Sequence, residues 1–204
     1  MKKLFMLFCL VLSIGIFGQE NAVNYIADST KRIILLDAGH GGSNTGVKMN
    51  EFQEKDIVLK IAKIIQENNP FNDVDFVLLR KGDEQILNTS RTNMINEIKP
   101  DLVLSIHVNY NIKESKKGTE ILLSPLNPTF EESKMISEKI GKNISSLGFE
   151  NLGIVETNSK ILRDSKVPII MIEIGYLTNE EDRKILTNES YYPKIADKIY
   201  EALK

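Results

Sequence analysis

The stretch RIILLDAGHGGSNTG, Arg32 to Gly46, decides how the rest of the chain is read. Its apolar run, rich in isoleucine and leucine, has the character of a strand buried on both faces. The run reaches Asp37 and passes almost at once to His40, one of only 2 histidines among 204 residues. Glycines follow at 41 and 42. Without a Cβ they let the backbone turn tightly or pass close to a metal or substrate, although an ordinary strand-to-helix turn uses glycine too.

Similar apolar runs recur downstream. DFVLLR (75–80), DLVLSIH (101–107), GTEILLS (118–124) and VPIIMIE (167–173) read as further strands. Between them lie helical patterns: EKDIVLKIAKIIQENN (54–69), a stretch near 86–98, and FEESKMISEKIGKNISSLG (130–148), with YYPKIADKIYEALK as a final helix. This alternation predicts an α/β fold: a single domain with a largely parallel, twisted sheet of about five or six strands flanked by helices. The length suits one sizeable core rather than two.

In open parallel sheets, ligands bind beyond the carboxyl ends of the strands. His40 follows the first strand, His107 closes LVLSI and Glu173 closes VPIIMI, so parallel neighbours would gather all three on one rim. An ionised carboxylate ending so apolar a run is unfavourable unless paired or coordinated. The helix after the His40 loop adds a fourth group. Ile57, Val58, Ile61, Ile64 and Ile65 form its buried stripe, and Glu54, three and four residues earlier, points inward from its first turn. Two histidines and one carboxylate make a hydrolytic zinc site with an open position for water, and the remaining carboxylate could then be a general base.

Other readings stay open at this level. A histidine at a strand end is often a hydrogen-bonded structural residue, and Glu54 also suits a helix N-terminus through the dipole. Glu51 is a rival ligand, but it precedes the periodic stripe. GHGGSNTG lacks both G-x-G-x-x-G and a Gly-Lys-Ser/Thr ending, which argues against a phosphate-cradling turn.

Composition narrows the classes further. Residues 1–18, MKKLFMLFCLVLSIGIFG, have the charged start and apolar middle of a secretory signal, too short for a confident span of about 20 residues. An uncleaved anchor is the alternative. Residues 19–31 read as a linker, and 32–204 as the folded domain. Cys9, the sole cysteine, lies in the signal, so the mature protein has no disulfide, thiolate ligand or cysteine nucleophile. Removing the signal takes away two lysines and no acid, leaving 24 basic and 28 acidic residues. Such a well-mixed surface excludes a nucleic-acid footprint, and no stable membrane span is expected after signal removal.

At these residues the chain resembles the catalytic domain of zinc-dependent N-acetylmuramoyl-L-alanine amidases, the amidase type 3 family. LLDAGHGG is similar to that family's first metal motif, with alanine where proline is usual. EKDIVLKIA resembles the segment that supplies the glutamate ligand, SIHVN the second histidine motif, and VPIIMIEIGYLTNEED the block with the catalytic glutamate. The resemblance covers Arg32 to Lys204. It implies one Zn2+ ion held by His40, Glu54 and His107, with Glu173 as catalytic acid/base and peptidoglycan as substrate. Asn109 and Arg91 are weaker matches for substrate contact. Arg91 shares a helical face with Leu87, Met94, Ile95 and Ile98, so a buried ion pair is the competing role.

Some members of this family carry an inhibitory helical insertion after the strand that matches GTEILLS. Here only a PLNPT turn precedes the next helix, so no activator protein is expected. A monomer is expected, and the signal implies export, to the periplasm or the extracellular space, in association with the cell wall. A zinc peptidase acting on another envelope amide is the main alternative function. A non-catalytic envelope-binding module is the second, and complete site chemistry weighs against it.

Overall fold

The RIILL run becomes β1 (Arg32–Ala38), whose residues from Ile34 to Ala38 are all buried. Burying Ile or Leu in this way stabilises the fold by about 1.5–3 kcal/mol per side chain. The computed structural model describes residues 31–204; the expected signal segment, and the linker apart from Lys31, lie outside the described residues. After β1 come a small hairpin of β2 (Lys48–Met49) and β3 (Phe52–Gln53), α1 (Glu54–Glu67), β4 (Val74–Leu78) and α2 (Asn88–Ile98). The chain continues through β5 (Leu102–Asn109), β6 (Thr119–Leu123), α3 (Phe130–Ser145), β7 (Asn151–Glu156) and α4 (Lys160–Asp164). It ends with β8 (Ile169–Tyr176), α5 (Glu180–Leu186) and α6 (Tyr192–Leu203).

Six strands form one sheet in the order β4-β1-β5-β8-β6-β7. The first four run parallel, β6 turns antiparallel to β8, and β7 runs parallel to β6. The sheet is therefore largely parallel, as expected, with a reversed pair at one edge. Both faces are covered. Ile34, Leu36, Leu104, Ile106, Ile170 and Ile172 pack toward α1, α3 and α6, while Leu35, Val77, Val103 and Met171 pack toward α2 and α4. Two buried faces explain why these strands read as unbroken apolar runs.

Two expectations shift in detail. Neither His107 nor Glu173 closes its strand, because β5 continues to Asn109 and β8 to Tyr176. Three elements, β7, α4 and α5, have no clear periodic signal. β7 is an edge strand with no fully buried residue, so its sequence NLGIVE carries little hydrophobic patterning. The helices α4 and α5 are only 5 and 7 residues long, too short for a 3.6-residue period to show.

Because β1, β5 and β8 are parallel neighbours, their carboxyl ends share one rim. In register, Ala38 sits beside Ile106, and His107 sits beside Glu173. α1 starts at that rim, placing Glu54 at its first position.

Candidate metal centre

His40 leaves β1 in a left-handed conformation, φ 59°, a region that β-carbon-bearing residues occupy at a penalty of roughly 1–3 kcal/mol. That turn brings the imidazole back over the rim. Asn44 Oδ1, which also accepts from the Gly46 amide, lies 2.9 Å from His40 Nδ1. The proton on Nδ1 then faces the amide oxygen, and Nε2 points to Glu54 Oε1 at 3.0 Å. On the other side His107 Nδ1 is 2.9 Å from the same oxygen. A divalent ion with ligands at about 2.0–2.1 Å spaces tetrahedral donors roughly 3.3 Å apart, close to these separations. One donor atom from each of His40, Glu54 and His107 lies within 4.8 Å of the others. The donor set fits zinc.

Glu54 is held firmly. It is 2% exposed, and its oxygens accept from the Val108 and Val47 backbone amides at 3.0 and 2.9 Å. Burial pushes its pKa up, but hydrogen bonds to His107 and His40 and their charges outweigh this, so the carboxyl titrates well below its ordinary range. Burial works to lower the pKa of His107, yet the Glu54 hydrogen bond and the Glu173 and Glu54 charges carry it above the usual value. The rival Glu51 is exposed in the hairpin turn.

The glycines act differently from the first expectation. A Cβ on Gly41 would overlap the Glu84 carbonyl, and one on Gly42 would meet Gln85 Cβ at 2.7 Å. Those two make room for a neighbouring loop, not for the site. Gly39 and Gly46 are the ones that admit the donors: a Cβ on Gly39 would stand 2.6 Å from His107 Nε2, and one on Gly46 would overlap Glu54 Oε2.

Glu173 lies next to His107 across the β5–β8 ladder, and its Oε2 is buried without a hydrogen-bond partner among the described residues. Burial is the main reason its pKa is pushed up to about 7; the Glu54 and Glu120 charges add, while His107 and His40 oppose. A half-buried carboxyl that titrates near neutrality can both take and return a proton.

Asn109 and Arg91 both have protein partners. Asn109 Nδ2 donates to Glu120 Oε2 at 2.9 Å, and its Oδ1 accepts from the Tyr110 amide at 2.8 Å. Arg91, 2% exposed, pairs with buried Asp37 and donates to the carbonyls of Ala38, His40 and Ile86. Asp37 also accepts from Ser105 Oγ at 2.7 Å. Arg91 thus makes the buried ion pair weighed as its competing role, directly behind the His40 loop, and also lines the cavity over the rim.

Sequence reading did not single out Asn44, Asp37 or Glu120. Asp37 had a signal, since an acid inside an apolar run demands a partner. Glu120 had none. It stands opposite Glu173 only because β6 reverses beside β8, and Lys116 Nζ holds it at 2.7 Å. A small cavity of about 120 Å³ opens over this rim, lined by Gly39, His40, Asn44, Asn88 and His107 among others.

Residues 34–204 match the family model for N-acetylmuramoyl-L-alanine amidase (amidase type 3). The chain is 31% identical over 167 residues to the N-acetylmuramoyl-L-alanine amidase CwlM of Bacillus licheniformis, covering 80% of this chain and 64% of that one. It spans just under two thirds of the length of most of the curated relatives it matches. The crystal structure of N-acetylmuramoyl-L-alanine amidase from Clostridium difficile 630 has the same fold, with TM-score 0.80 and 30% identity, covering 86% of this chain and 96% of that one. The CwlD amidase from Clostridioides difficile, solved in complex with the GerS lipoprotein, gives TM-score 0.76 at 25% identity, covering 85% and 96%.

Proposed function

The chain belongs to the N-acetylmuramoyl-L-alanine amidase family, and on that premise we propose that it is an exported zinc hydrolase of peptidoglycan. Its target is the amide between N-acetylmuramic acid and the L-alanine of the stem peptide. The observation that carries this reading is the meeting of His40 Nε2 and His107 Nδ1 on one Glu54 carboxylate oxygen, with Glu173 beside them, its Oε2 buried without a hydrogen-bond partner among the described residues. Such an arrangement brings two imidazoles and an anion to one point and leaves one side for substrate.

When bound, zinc would supply Lewis acidity to the scissile carbonyl and lower the pKa of water from 15.7 toward about 7. The chain's own groups do the rest. His40 and His107 present neutral nitrogen donors, with His40 oriented by Asn44, and Glu54 supplies the compensating charge. Glu173 takes the proton from the attacking water and returns one to the departing nitrogen of L-alanine, a transfer that typically contributes roughly 10²–10⁴-fold. Its raised pKa suits both directions of that transfer.

Six residues, 124–129, join β6 to α3, and no helix lies between them. The rim is therefore expected to accept substrate without an activator protein. Among the described residues no helix is long and apolar enough to cross a membrane. Export rests on the sequence of residues 1–18.

The test is metal analysis of the purified protein together with mass spectrometry of its peptidoglycan digest. One equivalent of zinc and an intact stem peptide with a new free L-alanine amine are expected. Cleavage inside the stem peptide would point to the peptidase alternative, and zinc without cleavage to a binding module. Strict dependence on an added lipoprotein, such as the one that accompanies CwlD, would refute activator independence.

A further inference from the structure

Arg80 ends the β4 run DFVLLR, where a charged residue would ordinarily turn to solvent, yet it is 2% exposed. Among the described residues no carboxylate lies within ion-pairing distance of it. All of its hydrogen bonds go to backbone carbonyls instead. Nε donates to Ala38 O at 2.8 Å and Nη1 to Gly82 O at 2.7 Å, while Nη2 bridges Gly39 O at 2.8 Å and Lys55 O at 2.7 Å. A buried cation that makes no direct ion pair is unfavourable unless its donors are used, and here the planar fork uses them on segments far apart in sequence.

The choice of carbonyls is informative. Ala38 and Gly39 immediately precede His40, and Lys55 immediately follows Glu54. One guanidinium nitrogen thus ties the peptide before one candidate ligand to the peptide after another. The loop behind Arg80 adds to the hold: Asp83 accepts from the Gly42 amide at 2.9 Å and from Lys55 Nζ at 2.7 Å, and Ser43 bonds Gln85 at 2.7 Å. Lys55 Nζ also donates to Gly42 O at 2.8 Å. This loop braces a segment that carries a strained, left-handed His40.

We propose that Arg80 is a positioning residue for the metal centre, setting the distance between His40 and Glu54 by clamping the backbone beside each. The assignment rests on the reading that these two residues, with His107, hold an ion. Arg91 braces the same loop from the other side, through the His40 and Ala38 carbonyls, but it makes no bond to α1. Arg80 alone of the two spans both ligand segments.

The experiment compares the full-length parent with Arg80→Met and Arg80→Lys proteins. Zinc affinity is measured by competition with a chromophoric chelator, and ligand geometry by the visible absorption of the cobalt(II) forms. Loss of a group that orients a metal ligand weakens affinity by roughly 10–100-fold. That loss, with an altered cobalt spectrum, is expected for Arg80→Met. Arg80→Lys, which keeps the charge but not the fork, is expected to fall between it and the parent. A purely structural role would lower the urea midpoint and leave both metal readouts alone. Zinc affinity within about twofold of the parent, well short of the 10–100-fold expected, together with an unchanged cobalt band, overturns the proposal. If Arg80→Met does not fold, Arg80→Lys decides on the same criteria. A parent that binds neither ion refutes the metal reading and this assignment with it; a normal parent beside unaffected variants refutes the assignment alone.

Discussion

Replacing Glu173 with glutamine removes one proton site from a nearly unchanged shape. In the metal-free protein the Glu173 carboxyl is pushed up to about 7 from an ordinary 4.5, because burial disfavours its charge and leaves Oε2 without a hydrogen-bond partner among the described residues. A carboxyl whose pKa is raised by folding binds its proton more tightly in the folded chain. Its contribution to stability is therefore complete below about pH 4.5 and lost as pH rises through about 7. At 1.36 kcal/mol per unit, that displacement is worth about 3 kcal/mol. Glutamine cannot ionise, so the unfolding free energy of Glu173→Gln should gain on the parent by that amount between about pH 4 and pH 8. Groups that titrate alike in both proteins cancel in the difference, whereas His107, whose pKa the Glu173 charge helps to raise, titrates differently in the variant and changes the size of the gain but not its direction. Urea unfolding of chelator-treated protein across this range provides the measurement, and pH profiles that stay parallel would refute the account of a desolvated carboxyl. The same variant, loaded with zinc, should keep one equivalent of metal while turnover falls roughly 10²–10⁴-fold. Loss of the metal would instead make Glu173 a ligand.

Three further outcomes follow from the geometry. Asp37→Ala leaves the Arg91 guanidinium buried without its carboxylate, and urea unfolding should show a loss of about 3–5 kcal/mol; an effect below about 1 kcal/mol would mean that the pair is not a closed ion pair. Gly46→Ala puts a Cβ against Glu54 Oε2 and 2.7 Å from His40 Cδ2, at a φ of 62°. It should destabilise by more than about 1 kcal/mol and weaken zinc binding, whereas parent-like zinc affinity would show that the carboxylate can move aside. Stripping the metal with a chelator should abolish activity and lower the unfolding midpoint, with both restored by zinc. The stabilisation from zinc at 1,000 times its dissociation constant is about 4 kcal/mol, and a midpoint indifferent to chelation would remove the ion from the account.

The apolar runs that became β1, β4, β5, β6 and β8 were legible because each is buried on one or both faces, and burial imposes composition. The stripe from Ile57 to Ile65 revealed α1 and the inward turn of Glu54 for the same reason. β7 escaped because an edge strand half open to solvent needs no such pattern. The tasks of the glycines were misassigned because a missing Cβ does not say which neighbour occupies its space. For Gly41 and Gly42 that neighbour is the loop at Glu84 and Gln85, more than 40 residues away.

Residue chemistry and local periodicity pointed to two imidazoles, a helix-borne carboxylate and a second acid as one candidate group, since a buried ionisable side chain demands a partner wherever it lies. The family resemblance chose that reading over structural roles for the same residues. Only the folded sheet decided how that demand is met. Parallel pairing of β1, β5 and β8 sets His40, His107 and Glu173 side by side, the reversal of β6 brings Glu120 opposite Glu173, and two buried arginines grip the backbone beside the candidate ligands. Those placements depend on strand order and on carbonyl positions, which every residue type shares. They arise from tertiary packing, where groups distant in the chain compete for the same few ångströms.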